Sequence, residues 1–169
     1  MRAVKKKAGR RARAPLPLPD GTTVRRGREE EEGVPVLLWR VETPAVDAAY
    51  GKTDAASFYA ETARRTGAYC AGRLSFLLRE EYRRADPAHR RFTFRPALYE
   101  HTVKTVAEDG EITFLRTVRL SRAGRVLFFR VFSESWDRAD GTLIRASESD
   151  AEEPKGESRK NEEKKREKG

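Results

Sequence analysis

The chain has few of the residues that build metal centres, redox sites and disulfides. Its 169 residues include one cysteine, one methionine and two histidines. A single cysteine excludes an internal disulfide, and the histidines and the cysteine do not show the spacing of a zinc site. We therefore predict no cofactor and no metal. Cys70 falls on the apolar stripe of a predicted helix, so we expect a buried, unreactive thiol.

Long apolar runs are missing as well. No segment approaches the roughly 18 apolar residues that a membrane-spanning helix needs. The first residues are charged, but no apolar stretch follows them, so they do not resemble a secretory signal. As written, the sequence predicts a cytoplasmic protein without a membrane span. A truncated start would change this expectation.

Both ends of the sequence contain too few apolar residues to contribute to a core. Residues 1–33 combine basic, proline-rich and glutamate-rich stretches, and residues 148–169 are almost all charged or small. Such segments bury too little apolar surface to offset the entropy of the chain. We therefore predict a disordered arm over residues 1–33, a single domain over residues 34–147 and a disordered tail over residues 148–169.

The net charge of +9 is unevenly distributed along the chain. Residues 1–33 contain ten lysines and arginines against five aspartates and glutamates. A basic arm is a common means of binding nucleic acid or another anionic surface, although it can also serve solubility alone. Nucleic-acid binding by the arm is therefore one hypothesis. Its candidate contacts are Lys5, Lys6, Lys7, Arg10, Arg11 and Arg13.

Between the two ends, the sequence predicts one long helix and several strands. Residues 54–84 repeat apolar side chains at intervals of three and four, the period of an amphipathic helix. We predict an α+β fold in which this helix packs on an antiparallel meander of four or five strands, in the order strand, helix, strand, strand, strand. The arrangement is cystatin-like by analogy. The predicted strands are residues 34–41, 92–106, 111–120, 125–136 and, as a short fifth strand, 143–145.

The helix is expected to bury one apolar stripe. Glycines at positions 67 and 72 weaken a helix, so we expect either a close approach of a strand or a bend near them. Leu77 is expected to be buried with the rest of the stripe. The stripe consists of Tyr59, Ala63, Thr66, Cys70, Leu74 and Leu77, widened by Phe58, Tyr69 and Phe76.

No phosphate-binding loop and no activated nucleophile can be recognised in the sequence. We therefore predict a non-enzymatic module that binds a protein or a cell-wall-type ligand. Its expected surface is the exposed side of the sheet around Phe129 and Trp136, with Arg130 and His101 as further candidate contacts. A third hypothesis is a small enzyme with a polar pocket between helix and sheet, where His101 lies at the floor as a general base.

Charged residues on the predicted sheet have two interpretations. Arginines 116, 119, 125 and 130 could line one face among phenylalanines and bind RNA bases, but arginines more often cover a solvated face.

Glu134 and Asp137 flank Trp136 and could act as paired carboxylates. Since they are three residues apart, a regular strand directs them to opposite faces, and we expect two solvated charges.

Residues 55–148 resemble the extracytoplasmic sensor domain of anti-sigma-V-type factors, related to domains that accompany peptidoglycan deacetylases. The similar features are a helix bearing Phe58, Tyr59 and Tyr69, a hairpin around residues 109–110, and the turn of residues 136–143. The resemblance implies a binding and sensing module, outside the cytoplasm if the start is truncated, with lysozyme as a partner of some members. The Gly-Gly-x-His element of that family is missing, so lysozyme binding does not carry over. Asp137 and Gly141 are expected to be structural.

Overall fold

The computed structural model describes residues 22–44, 54–108, 110–137 and 139–149. In this part of the chain, one long helix packs against a single six-stranded sheet whose strands lie side by side in chain order. The predicted α+β class is confirmed, but the sheet is larger than the four or five strands expected. The strands are β1 (Thr23–Glu31), β2 (Val34–Thr43), β3 (Ala97–Glu108), β4 (Glu111–Arg122), β5 (Arg125–Asp137) and β6 (Leu143–Ser149).

The sheet is mixed, so the prediction of an antiparallel meander was wrong at one strand pair. β2 and β3 run parallel, with Leu37 opposite Ala97 and Val41 opposite His101. The other neighbouring strands pair antiparallel. The long helix connects β2 to β3, and a helical crossover of this kind brings the next strand back in the same direction.

The helix has the predicted bounds but contains an irregular turn. It runs from residue 54 to residue 84 as α1 (Asp54–Tyr69), a π-helical segment (Cys70–Leu74) and α2 (Ser75–Arg84). A π-helical turn holds one more residue than an α-helical turn. It therefore shifts which of the later positions face the sheet. A separate short helix, α3 (Arg90–Thr93), precedes β3 and occupies the first part of the predicted second strand.

The shift explains one wrong prediction. Before and within the π-helical segment, Tyr59, Ala63, Cys70 and Leu74 of the expected stripe are buried. The aromatics expected to widen the stripe are exposed, by 37% at Phe58, 44% at Tyr69 and 59% at Phe76. Beyond the π-helical segment, Leu78 and Tyr82 are buried, whereas Leu77 is 51% exposed. The prediction continued the regular helical period past the irregular turn. It therefore placed the buried position at Leu77, one residue before Leu78.

Strand β1 is the largest departure from the predicted domain bounds. It pairs antiparallel with β2, so residues 23–31 of the expected disordered arm are part of the sheet. Its glutamates contact the helix: Glu29 accepts a hydrogen bond from Arg79 at 3.3 Å, and Glu31 accepts one from Arg83 at 2.7 Å. Arginines of the long helix therefore neutralise two of the negative charges of β1. Residues 1–21 and 150–169 lie outside the described residues.

The helix crosses the sheet over two core clusters. At its beginning, Ala55 and Tyr59 pack with Ile112, Phe114 and Trp136. The second cluster is larger and contains the later part of the helix. It joins Cys70, Leu74, Leu78 and Tyr82 to Val36, Leu37, Ala97, Tyr99 and Val118.

Candidate ligand cavity between helix and sheet

A cavity of about 430 Å³ lies between the helix and strands β3, β4 and β5. Its volume is within the range of about 300–1,000 Å³ that is usual for small-molecule sites. Tyr69 and Phe128 at its edge are 44% and 42% exposed, which places the opening beside them. The lining residues are Thr66, Tyr69 and Leu74 from the helix and Tyr99, His101, Arg116, Val118, Leu120, Phe128 and Phe132 from the sheet.

His101 is the unusual side chain of this cavity. It is only 2% exposed, and neither ring nitrogen has a hydrogen-bond partner among the described residues. Buried polar groups are almost always paired, and each unpaired group costs about 1–3 kcal/mol. Burial, reinforced by the nearby charge of Arg116, lowers the pKa of His101 to about 4. The ring is therefore neutral at physiological pH, with one nitrogen as donor and the other as acceptor.

Arg116 is the charged member of the lining, and a buried carboxylate holds it in place. Its Nε and Nη2 donate to Oε1 of Glu134 at 3.1 and 2.7 Å. The other carboxylate oxygen, Oε2, accepts a hydrogen bond of 3.1 Å from the Tyr59 hydroxyl. Trp136 Nε1 in turn donates to that hydroxyl oxygen at 3.0 Å. The four side chains form one connected network, called the Arg116–Glu134 network below.

The network is electrically balanced. One guanidinium charge faces one carboxylate charge, and the Arg116 guanidinium also lies over the Phe132 ring, 4.2 Å from its centre. Burial and the charge of Glu134 raise the pKa of Tyr59 far above its usual range, so the phenol remains a donor. The cavity wall therefore carries no net charge from this pair, and His101 is a buried polar side chain of the wall without a hydrogen-bond partner among the described residues.

The structure separates the two aromatics that were expected to share an exposed surface. Trp136 faces the helix and is 3% exposed, with its ring 5.9 Å from that of Tyr59. Phe129 lies opposite Arg119 in the pairing of β4 and β5, seven positions before Trp136, so it points to the other face. A single exposed surface around Phe129 and Trp136 was therefore a wrong prediction.

The arginines of the sheet also divide between its two faces. Arg116 and Arg130 lie on the helix side, where Arg130 is 5.2 Å from the centre of the Phe128 ring and 3.4 Å from Glu148. Arg119 lies on the opposite side, 3.4 Å from Glu100. These residues do not form the single basic and aromatic face that RNA stacking would need. Of the predicted ligand contacts Phe129, Trp136, Arg130 and His101, His101 alone lines the cavity.

Sequence reasoning missed the Arg116–Glu134 network. Glu134 was expected to be a solvated charge, but it is 3% exposed and bound by Arg116 and Tyr59. A usable signal was present, because Arg116 interrupts the apolar face of β4 between Phe114 and Val118. An arginine on a buried face needs a buried acceptor.

The expectation that Asp137 and Gly141 are structural is confirmed. Asp137 has a structural role, since its Oδ1 accepts hydrogen bonds from the backbone nitrogens of Ala139 and Asp140. Gly141 has a φ of 72°, which favours glycine. The arm residues Lys5, Lys6, Lys7, Arg10, Arg11 and Arg13 lie outside the described residues.

Comparisons with protein-family models, curated proteins and solved structures gave no match. The resemblance to anti-sigma-V-type sensor domains therefore stays a hypothesis. In the described part of the chain, no three His, Cys, Asp or Glu side chains are grouped as metal ligands. No described helix is both long and apolar enough to cross a membrane.

Proposed function

We propose that this protein is a non-enzymatic binding module and that the cavity between helix and sheet holds a small, mainly apolar ligand. The observation that carries the proposal is a cavity of about 430 Å³ with a largely apolar wall and a buried polar side chain, His101, that has no hydrogen-bond partner among the described residues. Pockets of this size, with many apolar and few polar groups, are the usual form of a small-molecule site.

Binding is favoured over catalysis by the surroundings of His101. A general base is most effective when its pKa lies near the working pH and a partner orients its ring. The low pKa of His101 makes it a weak base at neutral pH, and no described residue orients the ring. The lining residues include no serine or cysteine. An enzyme with His101 as base remains the alternative that uses the same cavity.

The other hypotheses draw on different parts of the chain. A sensing role, as the resemblance to anti-sigma-V-type domains implies, would need a ligand site, and the cavity is a candidate for it. Nucleic-acid binding would depend on basic residues that precede the sheet. It predicts affinity that falls steeply with salt, because phosphate contacts release counterions.

Filling the cavity from the helix tests the proposal. Thr66 lines the cavity, and Thr62 lies one turn earlier on the same helix without lining it. We expect 4-propyltoluene to bind the wild-type protein and the Thr62→Phe variant in ligand-detected NMR. The Thr66→Phe variant should lose binding at least tenfold, because phenylalanine occupies the space.

Two outcomes would contradict the proposal. Equal binding to Thr66→Phe and to wild type would mean that the probe binds elsewhere. If neither 4-propyltoluene nor its polar analogues bind the wild-type protein, the cavity is not a ligand site. Val118→Phe provides a second filling variant from the sheet side, so the test does not depend on one substitution folding.

A further inference from the structure

The wall of the cavity also restricts the chemical class of its ligand. His101 lines the cavity, is 2% exposed, and has two ring nitrogens without partners among the described residues. A neutral imidazole has one donor and one acceptor nitrogen. The side chain thus has an unmet hydrogen-bonding requirement in the wall of the cavity.

The charge of the wall argues against a charged ligand. Arg116 is the one formally charged side chain among the lining residues, and its charge is balanced by Glu134 at 2.7 Å. A buried anion would need a further positive charge to offset its loss of hydration, and a buried cation would meet the Arg116 guanidinium. An uncharged ligand requires neither compensation.

A hydroxyl group fits the unmet requirement better than a group that only donates or only accepts. The proton of a neutral imidazole can lie on either nitrogen. A hydroxyl donates to an unprotonated ring nitrogen and accepts from a protonated one, so it satisfies whichever nitrogen faces the cavity. The remaining wall is formed by side chains such as Val118, Leu120 and Phe132, which favour an apolar body.

We propose that the cavity selects an uncharged, mainly apolar molecule that carries one hydroxyl group, and that His101 recognises the hydroxyl. This inference rests on the proposed function and adds the class of ligand to it. His101 acts here as a binding residue, and one of its two buried nitrogens becomes paired when the ligand enters. The Arg116–Glu134 network fixes the neighbouring wall.

Three probes of similar size test this inference: 4-propylphenol, 4-propyltoluene and 4-propylbenzoate. They differ in one substituent, which is a hydroxyl, a methyl or a carboxylate. Transfer out of water favours the methyl over the hydroxyl, so a purely apolar cavity binds 4-propyltoluene more tightly. We expect the opposite order in the wild-type protein, with 4-propylphenol bound about tenfold more tightly, because His101 pairs with its hydroxyl.

Substitution of His101 should reverse that order. In His101→Leu, which replaces the ring by an apolar side chain, 4-propyltoluene should bind more tightly than 4-propylphenol. In His101→Gln, which keeps a neutral donor and acceptor, the preference for 4-propylphenol should persist. The order of the probes in the wild-type protein is itself a test, so the inference can fail even if a variant does not fold.

Each other outcome has a defined meaning. If the wild-type protein prefers 4-propyltoluene, His101 does not recognise a hydroxyl and the inference fails, while the proposed function stands. If 4-propylbenzoate binds most tightly, the site is an anion site and the uncharged class is wrong. If none of the three probes binds, both the inference and the proposed function fail.

Discussion

The Tyr59 hydroxyl is the link whose removal most directly tests the Arg116–Glu134 network. Tyr59 is 2% exposed, and Tyr59→Phe keeps the ring while deleting only the oxygen. Oε2 of Glu134 and Nε1 of Trp136 then lose their partners at 3.1 and 3.0 Å. A hydrogen bond to a charged group contributes about 1.5–3 kcal/mol, and a buried donor left unpaired costs about 1–3 kcal/mol. We expect the free energy of unfolding to fall by roughly 3–5 kcal/mol.

A matched substitution controls for the loss of a buried phenol. Tyr82 is also fully buried, but its hydroxyl donates at 3.3 Å to Glu32, a side chain that is 48% exposed. Water can replace that bond, so Tyr82→Phe should cost about 1 kcal/mol or less. Urea unfolding followed by tryptophan fluorescence measures both variants. A cost for Tyr59→Phe no larger than that for Tyr82→Phe would refute the network.

Further predictions concern the helix and His101. Leu78→Ala should lower the free energy of unfolding by about 2–5 kcal/mol and Leu77→Ala by well under 1 kcal/mol; equal costs would contradict the shift at the π-helical segment. Burial raises the pKa of Cys70 to about 12, so native protein should react with a thiol reagent only on unfolding. A cysteine introduced by Ser57→Cys at an exposed position should react at once. Because the pKa of His101 falls from 6.5 to about 4 on folding, stability should be full above pH 6.5 and decrease by roughly 3 kcal/mol towards pH 4. His101→Leu should remove that part of the pH dependence, and an unchanged pH profile in this variant would contradict the assignment.

The helix and most strand positions could be predicted because local patterns determine them. An apolar period of three to four residues marks the long helix, and glycine turns mark the hairpins, as at Gly110 and Gly124, where φ is 78°. Strand β1 could not be predicted in this way. Its sequence is polar, and the arginines that pair with Glu29 and Glu31 lie some 50 positions away on the helix. By composition alone, the segment that forms β1 therefore resembled a disordered arm.

The site was only partly predictable, for a related reason. His101 was recognised as a candidate because it falls on a strand face beside apolar residues. Its environment depends on Arg116, Glu134 and Tyr59, whose contacts join residues up to 75 positions apart. Trp136 was predicted as a surface residue because it belongs to an aromatic-rich strand, but packing against Tyr59 buries it. The position of the helix decides which face of a strand is covered. The sequence of the strand itself does not specify that position.

The central claim is that the cavity between helix and sheet binds a small ligand. The most direct measurement is a set of intermolecular NOEs between 4-propylphenol and the methyl groups of the protein. We predict NOEs to Thr66, Val118 and Leu120, which line the cavity from both sides. NOEs confined to exposed surface positions, or their complete absence at saturating probe, would contradict the claim.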